Sequence, residues 1–355
     1  VNRMIDENIS NVEFYVFNTD KQALATSKAP NRIVLGETVT QGLGAGGEPA
    51  IGKAAAEASA DEIRKIVHGA NMVFIAAGMG GGTGTGAAPV VAQIARDEGA
   101  LTIAIVTRPF TFEGKQRIAN SVGGLTELKD AVDSIIIVSN DKLLMASGNA
   151  PISQAFSESD KVLAQSVKTV TDLILLPAVI NLDFADVKST LKGSGIALIG
   201  FGIGSGSNKA EEAAENAINS PLLEASISGA RRAICAVTCG ANVSLYEAQE
   251  CVNRIIEQAG STIDIKFGVS INDQLADTIL VSVIASDFTE EYDFTSIPTY
   301  QIPKKEYVGS SVAQTKEKTI EAIERDEAEK PEEASVAESI LPDFLKGNFN
   351  FDPEN

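Results

Sequence analysis

Three apolar runs, "NMVFIAAG" from Asn71, "LTIAIVTRP" from Leu101 and "SIIIVSN" from Ser134, carry no alternation of polar and apolar residues. A strand with one wet face alternates, so a run that is apolar throughout is buried on both faces. Helix-type segments separate the runs, "PVVAQIARDEGA" and "GKQRIANSVGGLTELKDAV". Strand, helix, strand with two-sided burial predicts an α/β fold: a Rossmann-like, doubly wound parallel sheet covered by helices. Such a sheet places ligands at the carboxyl ends of its strands. Upstream, "VEFYVFNTD" and "RIVLG" supply two more strands, and "EPAIGKAAAEASADEIRKIVHG" one alanine-rich helix.

A long segment follows, "SQAFSESDKVLAQSVKTVTDLILLPA", in which Phe156, Leu163, Val167, Val170 and Ile174 make one continuous apolar stripe at helical spacing. Pro177 ends it, and the helix reads as a spine between two blocks. In the second block "GIALIGFGIGSG", "ARRAICAVTCG", "TIDIKFGVSI" and "TILVSVIAS" predict strands of a smaller mixed sheet. "NKAEEAAENAINSP" and "SLYEAQECVNRIIEQAG" predict its helices, the latter with Ser244 and Glu247 at capping-box spacing and Gly260 as stop. The glycines of "GSGIALIGFGIGSGSN" miss the G-x-G-x-x-G pattern and read as strand packing and turn.

The expected organisation is a first α/β domain over 1–150, the central helix over 151–177 and a second, smaller α/β domain over 178–289. Residues 290–338 are charged, acidic and nearly without aromatics, the composition of a disordered linker. Residues 339–355 turn apolar again. Ile340, Leu341, Phe344 and Leu345 would share one face of a short helix, either a docking peptide on a tether or an element folded back on its own domain.

A net charge of −19 argues against a general nucleic-acid binder. No apolar run reaches the roughly 18 to 20 residues of a membrane span, and no basic stretch followed by an apolar one stands at the start, so neither a secretory leader nor direct membrane insertion is expected. Cys235, Cys239 and Cys251 form an odd set without a CxxC pair and read as buried, reduced thiols of a cytoplasmic protein. His68 is the sole histidine. Without a His-dependent triad, any hydrolysis would lean on carboxylates, backbone amides and a metal ion.

Directly after the first apolar run stands "GMGGGTGTGAAP", Gly78 to Pro89. Gly82, Gly84 and Ala87 spell G-x-G-x-x-A, yet the next strand ends in "VTRP" without the carboxylate that grips a ribose. No lysine follows to complete G-x-x-x-x-G-K-[ST]. What remains is an anion cradle of amide N–H groups at a helix N-terminus, with the Thr83 and Thr85 hydroxyls as further donors. Glu113 and Arg117 share a helical face four residues apart, the spacing of an ordinary ion pair. In "NLDFADVK" the local reading makes Asp183 the cap of a helix and Asp186 its third residue.

Taken in order, these segments resemble the tubulin/FtsZ family. "GGGTGTG" is similar to its signature, and "NTDKQAL", "GMGGGTGTGAAPVVA", "TRPFTFEGKQR", "VSNDKLL", "AFSESDKVL", "INLDFADVK" and "ILPDFLK" are similar to FtsZ over nearly the full length. The resemblance implies a GTPase domain, a tubulin-type second domain, GTP/GDP as ligand and Mg²⁺ as cation. It implies that Gly80, Gly81, Gly82, Thr83 and Gly84 hold the phosphates, and that Glu113 and Arg117 lie at the ribose and phosphate side. Asn140 and Asp160 would recognise guanine, whose N1–H and exocyclic amine a carboxylate accepts together. Phe156 would stack on the base or fill the core. Asn181, Asp183 and Asp186 would project into the pocket of the next subunit, where the carboxylates polarise the attacking water.

Head-to-tail contact of this kind does not close and yields a filament. The resemblance thus implies self-assembly into the bacterial division ring at mid-cell, tethered to FtsA or SepF through Ile340, Leu341, Phe344 and Leu345. It also implies departures: a first strand and first phosphate loop are expected upstream of Val1, and "GLGAGGEP" places Glu48 where it could repel a γ-phosphate. Two alternatives stay open, a dinucleotide oxidoreductase and a nucleotide-binding scaffold without turnover.

Overall fold

The computed structural model of the chain describes residues 1–289 except Ser10, 148–151, 176–177, 221–222 and Ser261. The acidic segment 290–338, the apolar segment 339–355 and Pro177 lie outside the described residues. Helix α1 (Asn2–Asp6) leads to strand β1 (Tyr15–Asn18), helix α2 (Lys21–Ala25) and strand β2 (Asn31–Val34). Helices α3 (Glu37–Thr40), α4 (Pro49–Ala58) and α5 (Ala60–Val67) precede β3 (Met72–Gly78), α6 (Thr83–Asp97), β4 (Leu101–Arg108), α7 (Lys115–Ala131) and β5 (Ser134–Ser139). Then come α8 (Asn140–Ser147), the long α9 (Ile152–Leu175) and α10 (Phe184–Leu191). The described residues finish with β6 (Gly195–Gly204), α11 (Lys209–Ile218), β7 (Ala230–Cys239), α12 (Leu245–Ala259), β8 (Asp264–Ile271) and β9 (Ile279–Phe288).

Every residue of β4 and β5 is buried, as two-sided coverage requires. Along β4, Leu101, Ile103 and Ile105 enter a core shared with Val162, Val167 and Val170 of α9. Ala104 and Val106 point the other way, onto α6 and onto Leu125 and Leu128 of α7. The expected stripe of α9 is therefore buried at Val167 and Val170, whereas Phe156 is 44% exposed.

β3 to β9 form one sheet in the order β3-β4-β5-β6-β9-β7-β8. Its pairings are parallel except the two made by β9, which enters antiparallel between β6 and β7. The mixed sheet expected of the second block is present and is joined to the first at its edge, through Ser134–Gly195, Ile135–Ile196 and Ile136–Ala197. β1 and β2 form a separate parallel pair. Between β1 and β3 lies a cleft of about 1070 Å³, lined on its two sides by Tyr15, Val16, Phe17 and Asn18 and by residues 72–78.

Two local expectations are corrected. The single alanine-rich helix is two, α4 and α5, broken at Ser59 (φ −103°, ψ 12°). Ser59 stands as the N-cap of α5, a position serine favours, and its hydroxyl accepts the Gly36 N–H at 2.9 Å, tying the junction of the two helices to the start of α3. Helix α6 starts at Thr83 and not at Pro89, which lies inside it. So near the start of the helix, the missing proline N–H leaves a single carbonyl, that of Thr85, without its helical donor.

The glycines of β6 have the packing role expected of them. A Cβ on Gly200, Gly202 or Gly204 would lie 2.0–2.1 Å from a backbone oxygen of α11. The three cysteines are free and buried, with burial pushing the Cys251 thiol up to about 12. Ser244 and Glu247 make the expected reciprocal cap of α12, at 2.8 and 3.2 Å.

Lys209, 2.9 Å from Glu247, and the Ser244 N–H hold the Glu247 carboxyl down at about 2. A depressed carboxyl contributes stability that is complete above its unfolded value near 4.5 and is lost as pH falls toward 2. Glu247→Gln should therefore lower the thermal midpoint clearly at pH 7 and much less at pH 3; equal deficits would deny the charge a role. At the α4–α6 crossing, a Cβ on Gly86 would meet the Pro49 carbonyl oxygen at 1.9 Å. Gly86→Ala should destabilise by about 1–3 kcal/mol in denaturant titration, the usual cost of overpacking.

Candidate functional site

Three connections leave the carboxyl ends of the neighbouring strands β3, β4 and β5. After β3, residues 79–82 turn into α6, whose first amides have no acceptor within the helix and face outward. The Thr85 hydroxyl accepts the Gly80 N–H at 2.8 Å, and the Thr83 hydroxyl bonds that of Thr19 at 2.6 Å. The glycines here divide into two roles. A Cβ on Gly80, Gly82 or Gly84 would approach the Arg117 oxygen, Ala45 Cβ or the Gly78 oxygen within 2.6–2.8 Å, so these positions let the loop pack on its neighbours. Gly81 faces open space. Of the five residues expected at the phosphates, Gly81 and Thr83, with the first amides of α6, have room for a ligand.

Asn120 of α7, not singled out in the sequence, ties this loop to the one before α4: its amide donates to the Gly47 oxygen at 3.2 Å and to the Gly80 oxygen at 3.4 Å. Glu48 caps α4 without a side-chain bond and is exposed.

After β4, a 3₁₀ turn spans Thr111–Glu113. The Glu113 carboxylate accepts the Phe110 N–H at 2.9 Å and pairs with Arg117, so the ion pair read from their spacing is formed. Asp141, a second residue the sequence reading passed over, accepts the Thr111 N–H and hydroxyl at 2.9 and 2.5 Å, clamping the turn to α8. Asn140, 5% exposed at the end of β5, accepts the Ser159 hydroxyl at 2.8 Å. That bond sets the start of α8 beside α9, one residue from Asp160. Desolvation raises the Asp160 carboxyl above the usual carboxylate range, against the opposing pull of Arg3.

Phe110 is buried; it stacks on Phe112 at 4.9 Å and meets the edge of Phe156 at 5.0 Å. Phe156 is too exposed to be core filling, and Phe112, 62% exposed, adds a second open ring that the sequence reading did not mark.

Asn181, Asp183 and Asp186 follow the other end of α9. The Asn181 side chain accepts the Ala178 N–H at 2.7 Å. Asp183 caps α10 by accepting the Asp186 N–H at 2.9 Å, and Asp186 accepts the Asp183 N–H at 3.2 Å. The local capping reading is thus realised, through one oxygen of each carboxylate. Fifteen residues of helix separate Asp160 from Leu175, about 22 Å at ~1.5 Å per residue. Within one chain, the acidic loop and the base-side residues therefore stand at different ends of α9 and are not brought together. Among the described residues no group of three or more His, Cys, Asp or Glu could hold a metal ion, and no helix is long and apolar enough to cross a membrane.

The model of the Tubulin/FtsZ family GTPase domain matches residues 1–148, and that of the FtsZ family C-terminal domain matches residues 195–289. An empty FtsZ dimer from M. jannaschii is similar at 41% identity over 81% of this chain and 83% of its own, with a TM-score of 0.76. CetZ1 from Haloferax volcanii, a GDP-bound monomer, is similar at 19% identity over 81% of this chain and 92% of its own, with a TM-score of 0.71. CetZ2 from the same organism, a GTPγS-bound protofilament, is similar at 21% identity over 79% and 86%, with a TM-score of 0.68. At those identities the two CetZ structures speak for the fold alone. The dinucleotide oxidoreductase is set aside, and the chain belongs to the tubulin/FtsZ family of GTPases, with an FtsZ-type C-terminal domain.

Proposed function

We propose that this chain binds GTP at the carboxyl ends of β3, β4 and β5 and hydrolyses it only when the acidic loop of a second copy closes the pocket. The observation that carries this is the length of α9: its rise of about 22 Å between Asp160 and Leu175 keeps the carboxylates away from the nucleotide of their own chain. On this reading the Gly81 amide, the Thr83 hydroxyl and the first amides of α6 cradle the phosphates, with Gly80, Gly82 and Gly84 shaping the loop around them, and Glu113 and Arg117 border the ribose. Asn140 and Asp160 read the guanine edge while Phe156 covers its face. Asp183 and Asp186, each with one oxygen outside the cap, orient and polarise the attacking water, and Asn181 holds the loop turn.

Mg²⁺ fits this donor set, because it is commonly held by phosphate oxygens and only one or two protein oxygens, with no all-protein cage. It would neutralise charge developing on the phosphates of a strongly acidic chain. Exposed apolar residues support the contact between copies. Val39, Leu43 and Phe112 lie in the nucleotide half, and Val179, Leu245, Tyr246 and Ile271 in the half bearing the acidic loop. Joining unlike faces gives a head-to-tail filament. A solved structure of a relative at 41% identity is a dimer, the FtsZ of M. jannaschii. The proposal extends to the division ring at mid-cell in the cytoplasm, with residues 339–355 docking FtsA or SepF.

Phosphate release measured against protein concentration should show a threshold below which turnover is nearly nil. Proportionality from the lowest concentrations would overturn a shared centre, and no turnover at any concentration would favour the non-hydrolysing scaffold. Asp186→Asn keeps an oxygen to cap α10 but removes the charge. It should lower turnover by about 100-fold or more, with GTP affinity within a few-fold and an unchanged melting midpoint. A chain ending at residue 338 should hydrolyse GTP normally and fail to recruit its tethering partner in a pull-down.

A further inference from the structure

The acidic loop is built on the edge of the C-terminal sheet. β8 is the last strand of the sheet order, and its outer edge is taken by the loop. The Val179 and Ile180 N–H groups donate to the Val269 oxygen at 2.8 and 3.2 Å, and the Val269 N–H donates to the Ile180 oxygen at 3.0 Å. One residue earlier in β8 is Gly268. Its φ is not in the left-handed region, so the backbone does not require glycine there. A strand interior disfavours glycine, which brings no side chain to pack and loses the most chain entropy. Close approach is the remaining reason. A Cβ at Gly268 would lie 3.2 and 3.3 Å from Cδ1 and Cγ of Leu182 and 3.4 Å from Cδ2 of Leu173.

Leu182 is 7% exposed and stands between Asn181 and Asp183. Leu173 lies in the last turn of α9. At Gly268, therefore, the central helix, the C-terminal sheet and the acidic loop meet closely enough that one added methyl would press Leu182 aside by a few tenths of an ångström. The far end of α10 is anchored separately. Arg232 donates to the Ser189 oxygen at 2.6 Å, and the Ser286 hydroxyl donates to the Thr190 oxygen at 2.9 Å. With that end fixed, a push on Leu182 cannot slide α10 bodily; it tilts the end that carries Asp183 and Asp186.

We infer that Gly268 is a positioning residue for hydrolysis: its bare backbone is the seat of Leu182, and that seat sets where the two carboxylates project into the neighbouring copy. The inference rests on the reading of the acidic loop as the part completing the next subunit's centre. Rate is steeply sensitive to such placement, since a displacement of about 1 Å can cost on the order of 100-fold.

The test uses the full chain with Gly268→Ala and Gly268→Val, measuring GTP affinity, the sedimented polymer fraction and kcat per polymerised subunit. Gly268→Ala should lower kcat about 3- to 10-fold and Gly268→Val at least 10-fold, with affinity and polymer fraction within two-fold of the parent. The double variant Gly268→Ala, Leu182→Ala should turn over faster than Leu182→Ala alone, because the new methyl refills the emptied seat. An unchanged kcat in Gly268→Ala would overturn the inference, and so would a loss of polymer matching the loss of turnover. If Gly268→Val does not fold, the alanine pair decides. Full activity in Asp186→Asn would instead bring down the underlying reading of the loop, which keeps the two failures distinct.

Discussion

The structure depends on the burial of β4 and β5 from both sides. A strand with no wet face needs a helical layer on each side, and here α9 supplies one and α6 with α7 the other. Because α9 must cover the sheet, it runs on past it and hands the chain to the second block. The same helix that completes the first core thereby decides how far the acidic loop lies from the nucleotide loops. Core packing and the separation of the acidic loop from the base-side end of α9 are two results of one requirement.

The loops at the strand ends show how few of their residues are left over for a ligand. Gly80, Gly82 and Gly84 are occupied with close packing, Glu113 with Phe110 and Arg117, and the two loop aspartates with capping one another. Residues with structural partners are well suited to binding work, because they hold their geometry before any ligand arrives. Asn120 and Asp141 extend this to second neighbours, bonding one loop to the next.

Much of this was legible in the chain itself. Two-sided burial in β4 and β5, the capping box at Ser244 and Glu247, the packing glycines of β6 and the cap at Asp183 all follow from local patterns. The break at Ser59 was not legible, because no glycine or proline marks it and the partner of its hydroxyl, Gly36, lies far away in sequence. Nor was the place of β9 between β6 and β7, since strand order is settled by long-range pairing. Asn120, Asp141 and Phe112 escaped notice for a related reason: none belongs to a periodic pattern, and their partners lie on other elements. A polar residue on a helix beside a glycine-rich turn would have been the available signal for Asn120.

The rigid spacing enforced by α9 has an arithmetic outcome. If every reaction centre needs two copies, a row of n subunits owns n − 1 centres, and one terminal subunit always holds a nucleotide it cannot spend. Short rows are then slow per molecule and long rows fast, so nucleotide consumption gauges row length with no dedicated sensor. Breakage anywhere silences one centre and creates one fresh, unspent end.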